Sequence, residues 1–173
     1  MYSKMQALLK LRGARISIEI CLILFAYLVL KTWMQRGMIE GPAPEIQASL
    51  LNGQPFNLRD LHGKPVLLHF WASWCGICKL EQDSIEAISR DHTVISIAMK
   101  SGSNDKVQQF MHDNKLSFPV INDQDGVISQ RYGVRAVPAS FILDSEGKIG
   151  FKETGYTSSW GLRIRLWLAD SDR

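Results

Sequence analysis

The chain has 173 residues, 46% of them hydrophobic and 21% charged, a composition too ordinary for a disordered, collagen-like or disulfide-scaffold protein and a length that suits one domain plus an appendage. The net charge of +3 is unevenly spread. Residues 1–39 carry six Lys/Arg against Glu19 alone, whereas residues 40–173 carry fourteen against sixteen acids, so the main part of the chain has no basic stripe to hold nucleic acid.

Residues 1–15 form a basic tail with Lys4, Lys10, Arg12 and Arg15. From Ile16 to Met34 the chain reads ISIEICLILFAYLVLKTWM, without charge between Ile20 and Leu30. A helix of about 20 apolar residues crosses a bilayer core, so 16–34 reads as a transmembrane anchor. Glu19 lies near one end, and the stem of Lys31 can snorkel toward headgroups. Four basic residues precede the span and only Lys31 and Arg36 follow closely, which places the N-terminus in the cytoplasm and the C-terminal part outside. The bulky, charged run Lys31-Thr32-Trp33-Met34-Gln35-Arg36 is unlike the small-residue site of a cleaved signal peptide. Residues 35–48, with Gly41-Pro42-Ala43-Pro44 among them, read as a linker.

The remaining residues, 49–173, alternate strand-like and helix-like segments, the pattern of an α/β domain. Pro65–Trp71 is a continuous apolar run, as in a central strand buried on both faces. Cys75–Arg90 follows with Ile77, Leu80, Ile85 and Ile88 at helical spacing. Thr93–Met99 is a second buried strand, and Asn104–Asn114 a helix capped by Ser103 or Asn104. Phe118–Asn122 is a short strand and Gly126–Tyr132 a short helix. Ala139–Leu143 and Lys148–Glu153 form an antiparallel hairpin around Asp144-Ser145-Glu146-Gly147. Ser158–Ala169 closes the chain as an amphipathic helix.

The three cysteines are not equivalent. Cys21 lies in the anchor and serves as a small apolar residue. Cys75 and Cys78 form a C-x-x-C between a buried strand and a helix. A thiol at a helix N-terminus meets unpaired N–H groups and the positive end of the macrodipole, which favour the thiolate. The thiolate is the attacking species in disulfide exchange. Cys75 is therefore the candidate nucleophile, and Cys78, one turn on, the candidate resolving thiol of a redox-active Cys75–Cys78 disulfide. A zinc site would want two more ligands at a recognised spacing, and His62, His69, His92 and His112 supply none; haem attachment would want His where Lys79 stands. Neither metal nor cofactor is expected. A Cu(I)-binding module that uses the two thiolates is the competing class of function.

The run Phe70-Trp71-Ala72-Ser73-Trp74-Cys75-Gly76-Ile77-Cys78-Lys79 resembles the active site of the thioredoxin superfamily. Tyr132-Gly133-Val134-Arg135-Ala136-Val137-Pro138 independently resembles that family's second motif, in which the proline is cis and faces the redox pair. The resemblance covers roughly residues 42–170. It implies a thioredoxin fold, a central mixed β-sheet flanked by helices, with partner chains pairing beside Val137 and Pro138. Sixty-three positions separate Cys75 from Pro138, so an extra strand–helix unit is expected at about 95–121. With Met99-Lys100-Ser101-Gly102 and Phe118-Pro119-Val120-Ile121-Asn122-Asp123, this is similar to the TlpA-like branch and, within it, to the suppressor-of-copper-sensitivity D type (ScsD-like).

That resemblance implies a single-pass protein of a bacterial inner membrane with a periplasmic redox domain. It would exchange thiols and disulfides with exported proteins. A reductase fed by a membrane thiol transporter of the DsbD/ScsB type is preferred, and a disulfide-donating oxidase is the alternative. Thioredoxins bury an aspartate six residues before the first cysteine, where this chain has His69, a satisfied structural residue or a proton acceptor for Cys78. Glu81, three residues after Cys78, stands where TlpA-like reductases place an acid; it is either a buried carboxyl whose raised pKa lets it shuttle a proton or a glutamate on the helix surface. Trp74 would shield the disulfide and contact partners. The cytochrome-maturation reductases carry a glutamate after the cis-proline; here Ala139 follows Pro138.

Overall fold

The computed structural model describes the backbone of residues 2–171 and the side chains of residues 15–171. The side chains of Lys4, Lys10 and Arg12 in the basic tail, and residues 172–173, lie outside that set. The chain divides into two units, 1–36 and 37–173. The first is one helix, α1 (Tyr2–Gln35). Its stretch Arg15–Gln35 is long and apolar enough to cross a membrane. Large apolar side chains from Ile16 to Trp33 are exposed along it.

The second unit begins earlier than the sequence pattern indicates. Residues 37–48 are not a linker: Met38 and Ile46 are buried, β1 (Gly41–Pro42) pairs antiparallel with β8 (Lys148–Thr154), and the Tyr132 hydroxyl donates to the Pro44 carbonyl at 2.7 Å. Proline lacks a donor and is tolerated at a sheet edge, so a Gly/Pro-rich run can be an edge strand as easily as a tether. A small hairpin follows, β2 (Gln47–Ser49) with β3 (Pro55–Asn57), and then a 3-10 turn at Leu58–Leu61.

The main sheet has the order β1-β8-β7-β4-β5-β6. Its centre is β4 (Val66–Trp71), buried at all six positions. β5 (Thr93–Met99) runs parallel to β4, and β6 (Val120–Asp123) parallel to β5. β7 (Ala139–Leu143) is antiparallel to β4 and forms the expected hairpin with β8. The helices are α2 (Gly76–Ser89), α3 (Asn104–Asp113), α4 (Val127–Arg131) and α5 (Ser159–Ser171). The stretch holding β5, α3 and β6 is where the extra strand–helix unit is expected. Ser103 caps α3 in extended geometry without a side-chain hydrogen bond.

Alternation along each strand divides the apolar residues between two cores. Leu67, Trp71, Val94 and Ile142 face α2, α3 and α5, whose Ile85, Ile88, Val107, Leu162 and Leu166 cover them. Val66, Leu68, Phe70, Ile97 and Phe141 face the other way, against Ile46, Ile128 and Tyr132. There the rings of Phe70, Tyr132 and Phe141 stand 5.3–5.6 Å apart. A mixed sheet covered by helices on both faces, with the C-x-x-C at the mouth of the central strand, is the thioredoxin fold.

Candidate functional site

β4 ends at Trp71 and hands the chain, through Ala72-Ser73-Trp74, to the start of α2. Cys75 is the residue that starts that helix: its backbone is extended, and its sulfur accepts the Cys78 N–H at 3.1 Å. An N-terminal N–H has no partner within the helix, so the sulfur takes the place usually filled by a Ser or Asp oxygen. Once reduced, the same sulfur sits where donors and dipole favour its anion. Cys75 and Cys78 are disulfide-bonded, with their Cα atoms 5.3 Å apart. Cys75 keeps 7% of its surface and Cys78 only 1%, so Cys75 is the more accessible residue of the pair.

The Val137–Pro138 peptide is cis, and the Val137 carbonyl oxygen lies 3.5 Å from Cys75 Sγ. The structure thus brings together four of the sequence-derived site residues: Cys75, Cys78, Val137 and Pro138. Trp74 is 62% exposed, with its indole N–H donated to the Lys100 carbonyl at 3.1 Å. It belongs to the rim of the site rather than to the core.

Glu81 lies one turn beyond Cys78 and is 1% exposed. Its Oε1 accepts the Thr157 N–H at 3.0 Å, while Oε2 is buried with no hydrogen-bond partner among the described residues. Loss of solvent pushes its pKa up to about 7, against the opposing pull of the Thr157 N–H. A carboxyl poised near neutrality beside a redox pair can release or take up one proton per exchange.

His69 is buried in β4, with Ser96 beside it on β5 and Ser140 on β7. Its Nδ1 pairs with Ser140 Oγ at 3.0 Å. Burial lowers its pKa to about 3, so the ring is neutral at any ordinary pH. The described partner of His69 is therefore a strand neighbour rather than a cysteine.

The loop after β5 also supports the site, a role that the sequence pattern does not mark. Ser101 Oγ accepts the Ser73 N–H at 3.0 Å and donates to the Met99 carbonyl at 3.2 Å, next to the Trp74–Lys100 bond. Lys100 holds φ +47°, a conformation that side chains rarely adopt. The only sequence signal was the Met99-Lys100-Ser101-Gly102 run itself, where Gly102 marks a turn. Among the described residues, no group of three or more His, Cys, Asp or Glu side chains could hold a metal ion.

Comparison with known proteins agrees with this geometry. The family model described as the AhpC/TSA family matches residues 39–152. A thioredoxin-like protein of Haemophilus influenzae is 32% identical over 140 residues, covering 80% of this chain and 83% of its own. The thiol:disulfide interchange protein DsbE of Xylella fastidiosa is 28% identical over 144 residues, 79% of this chain and 73% of that one. Among solved structures, a secreted Mycobacterium tuberculosis disulfide oxidoreductase superposes with a TM-score of 0.62 at 32% identity, covering 71% of this chain and 95% of that one.

Proposed function

Since the chain belongs to the AhpC/TSA family of thioredoxin-like proteins and carries the Cys75–Cys78 disulfide of a protein thiol–disulfide oxidoreductase, we propose that it is a membrane-anchored reductase of exported proteins. The observation that carries the chemistry is the Cys75 sulfur: it caps α2, is the more exposed of the pair and lies beside a cis-proline. In the reductive direction the Cys75 thiolate attacks a substrate disulfide and forms a mixed disulfide, and one substrate sulfur leaves as a thiolate. The Cys78 thiol then loses its proton to the Glu81 carboxylate and attacks Cys75 Sγ. Two electrons have passed to the substrate, and the Cys75–Cys78 bond has re-formed. Val137 and Pro138 present backbone to the bound partner, and Trp74 shields the pair. His69 is a structural residue in this reading, bound to Ser140.

The α1 span anchors the domain, and the basic flank orients it away from the cytoplasm. A compartment kept oxidising requires electrons to arrive through the membrane, so a thiol transporter of the DsbD/ScsB type is the donor in this reading. The suppressor-of-copper-sensitivity D type is the branch it favours. Insulin reduction by the full chain in detergent tests the reaction, with Cys75→Ser as control; retained activity in that variant would remove Cys75 as the nucleophile. A reduction potential near about −270 mV fits a reductase, whereas one near about −120 mV would make the chain an oxidase.

A further inference from the structure

Between the loop after β5 and the segment that leads into the cis-proline, the surface opens into a cleft of about 500 Å³. Met99, Lys100, Asp125, Gln130, Val134 and Arg135 are among the residues that line it. Both cations reach it with their side chains. A Cβ on Gly126 would lie 2.7 Å from Lys100 Cε, so the lysine stem runs across that glycine. A Cβ on Gly37, the first residue of the folded unit, would lie 3.4 Å from the Arg135 guanidinium. Both glycines line the cleft. Lys100, Arg135 and Asp125 are exposed, and among the described residues neither cation forms an ion pair, with Asp125 or with any other acid. The cleft therefore keeps a surplus of one positive charge.

The two elements that carry these cations are also the two that touch the cysteine loop. The Lys100 carbonyl accepts the Trp74 indole N–H at 3.1 Å, one residue before Cys75. Arg135 is two residues before Val137, whose carbonyl oxygen lies 3.5 Å from Cys75 Sγ. Lys100 holds φ +47°, a conformation that persists where the surroundings fix it. Here it turns the carbonyl toward Trp74 and the side chain toward Gly126. An extended chain rises about 3.3 Å per residue, so a partner strand laid beside Val137 carries over the cleft the residues two to four places from its reacting cysteine.

We propose that this cleft is a specificity subsite, in which Lys100 and Arg135 take an acidic side chain that the substrate polypeptide carries within about four residues of its reacting cysteine. This rests on the exchange reaction proposed above. The guanidinium matches a carboxylate with two parallel N–H donors, and the ammonium adds a point charge on a flexible stem. A single carboxylate neutralises the surplus that Asp125 leaves. A basic residue at the same place would meet two like charges, so the cleft rejects as well as selects.

The test follows release of thionitrobenzoate from single-cysteine peptides that carry it as a mixed disulfide, by the reduced full chain in detergent. The Cys75 thiolate attacks the peptide sulfur, and thionitrobenzoate leaves as a thiolate. Cys78 then attacks Cys75 Sγ, and its proton ends on the departing peptide thiol. Two electrons have passed to the peptide disulfide, and the Cys75–Cys78 bond has formed.

The peptides place Glu, Gln or Lys either about three residues before the cysteine or about three after it. At one of these places, and at low ionic strength, the Glu peptide is expected to react about fivefold faster than the Gln peptide, and the Lys peptide more slowly than either. Raising the salt to about 0.5 M should close that spread. Lys100→Gln combined with Arg135→Gln should bring the Glu-to-Gln ratio to about one, and Arg135→Glu alone should turn the preference toward the Lys peptide. Each readout is a ratio within one protein, so a general loss of activity does not imitate it. Equal Glu and Gln rates at both places, or a Glu preference that survives the double substitution, would overturn the subsite and leave the exchange reaction standing. No release from any peptide would overturn the exchange reading beneath it.

Discussion

Two buried titratable groups of opposite kind make the pH dependence of stability a sharp test of the site. In the folded protein Glu81 keeps its proton up to about pH 7, whereas the unfolded chain releases it near 4.5. Its contribution is therefore full below pH 4.5 and is lost as pH rises through 7. At 1.36 kcal/mol per unit, the loss is about 3 kcal/mol. His69 is the reverse: the unfolded chain takes up a proton near pH 6.5 that the folded protein refuses down to about 3. Its contribution is full above pH 6.5 and declines by about 5 kcal/mol as pH falls toward 3. Between pH 4.5 and 6.5 the two slopes, each about 1.4 kcal/mol per pH unit, oppose and cancel. Urea unfolding of residues 37–173 with the disulfide intact, at half-unit steps from pH 4 to 8, checks this. Relative to the wild type, Glu81→Gln should gain about 3 kcal/mol between pH 4.5 and 7, and His69→Asn should gain as pH falls below 6.5. The offset of each variant is set by packing, and only the slope reads the titration. Parallel curves for Glu81→Gln and wild type would refute the buried, proton-holding carboxyl and with it the proposed proton route.

Cys78→Ala should trap a mixed disulfide through Cys75 that survives denaturing electrophoresis without reductant, whereas Cys75→Ala should trap none; equal trapping would erase the distinction between the two roles, and trapping by Cys75→Ala alone would reverse them. Ser101→Ala leaves the Ser73 N–H without its acceptor, which should cost about 1–3 kcal/mol in urea unfolding and lower insulin-reduction activity with it. Met38→Ala should cost about 2–4 kcal/mol in a domain starting at Gly37, because the side chain is buried against the sheet; no loss would return residues 37–48 to the status of a tether. Glu81→Gln should also flatten the pH dependence of insulin reduction around pH 7, read from kcat/KM at fixed ionic strength.

What could be read from the sequence follows from how local each signal is. The central strand, the helix after it and the β7–β8 hairpin announce themselves through apolar runs, helical spacing and an Asp/Gly turn, and each boundary lies within a residue or two of its expected place. The redox pair is legible because two cysteines three apart at a strand–helix junction already contain their geometry. Residues 37–48 misled because glycine and proline serve a tether and an edge strand equally well, and the contacts that decide between them, with Tyr132, Lys148 and Ile149, lie about a hundred residues downstream. Glu81 was ambiguous for a related reason. Its spacing places it on the face of Cys78, but its burial depends on Thr157, seventy-six residues away. The Ser101 and Lys100 contacts with the C-x-x-C loop had no local signature at all, since a serine in a turn looks the same whether or not it accepts a distant N–H.

The contacts around the disulfide follow a pattern that neither the sequence nor any single contact conveys. Ser101 fixes Ser73, Lys100 fixes Trp74, and the backbone at Val137 faces Cys75, so the disulfide is held by three loops that enter from β5, β4 and β7. The supporting contacts come from strand ends, while the groups that change state in the proposed reaction, Cys75, Cys78 and Glu81, lie at the N-cap and in the first two turns of α2. Reduction of the pair therefore leaves Ser101, Lys100 and Val137 on strand ends that do not depend on the bond between the sulfurs. The consequence is a separation of costs: substitutions at Ser101 should change stability and rate together, whereas those at Cys78 and Glu81 should change chemistry in a way that pH and trapping reveal. A Ser101→Ala variant with wild-type unfolding but lost activity would contradict that division, because it would make Ser101 a participant in exchange rather than a support for the loop that carries it.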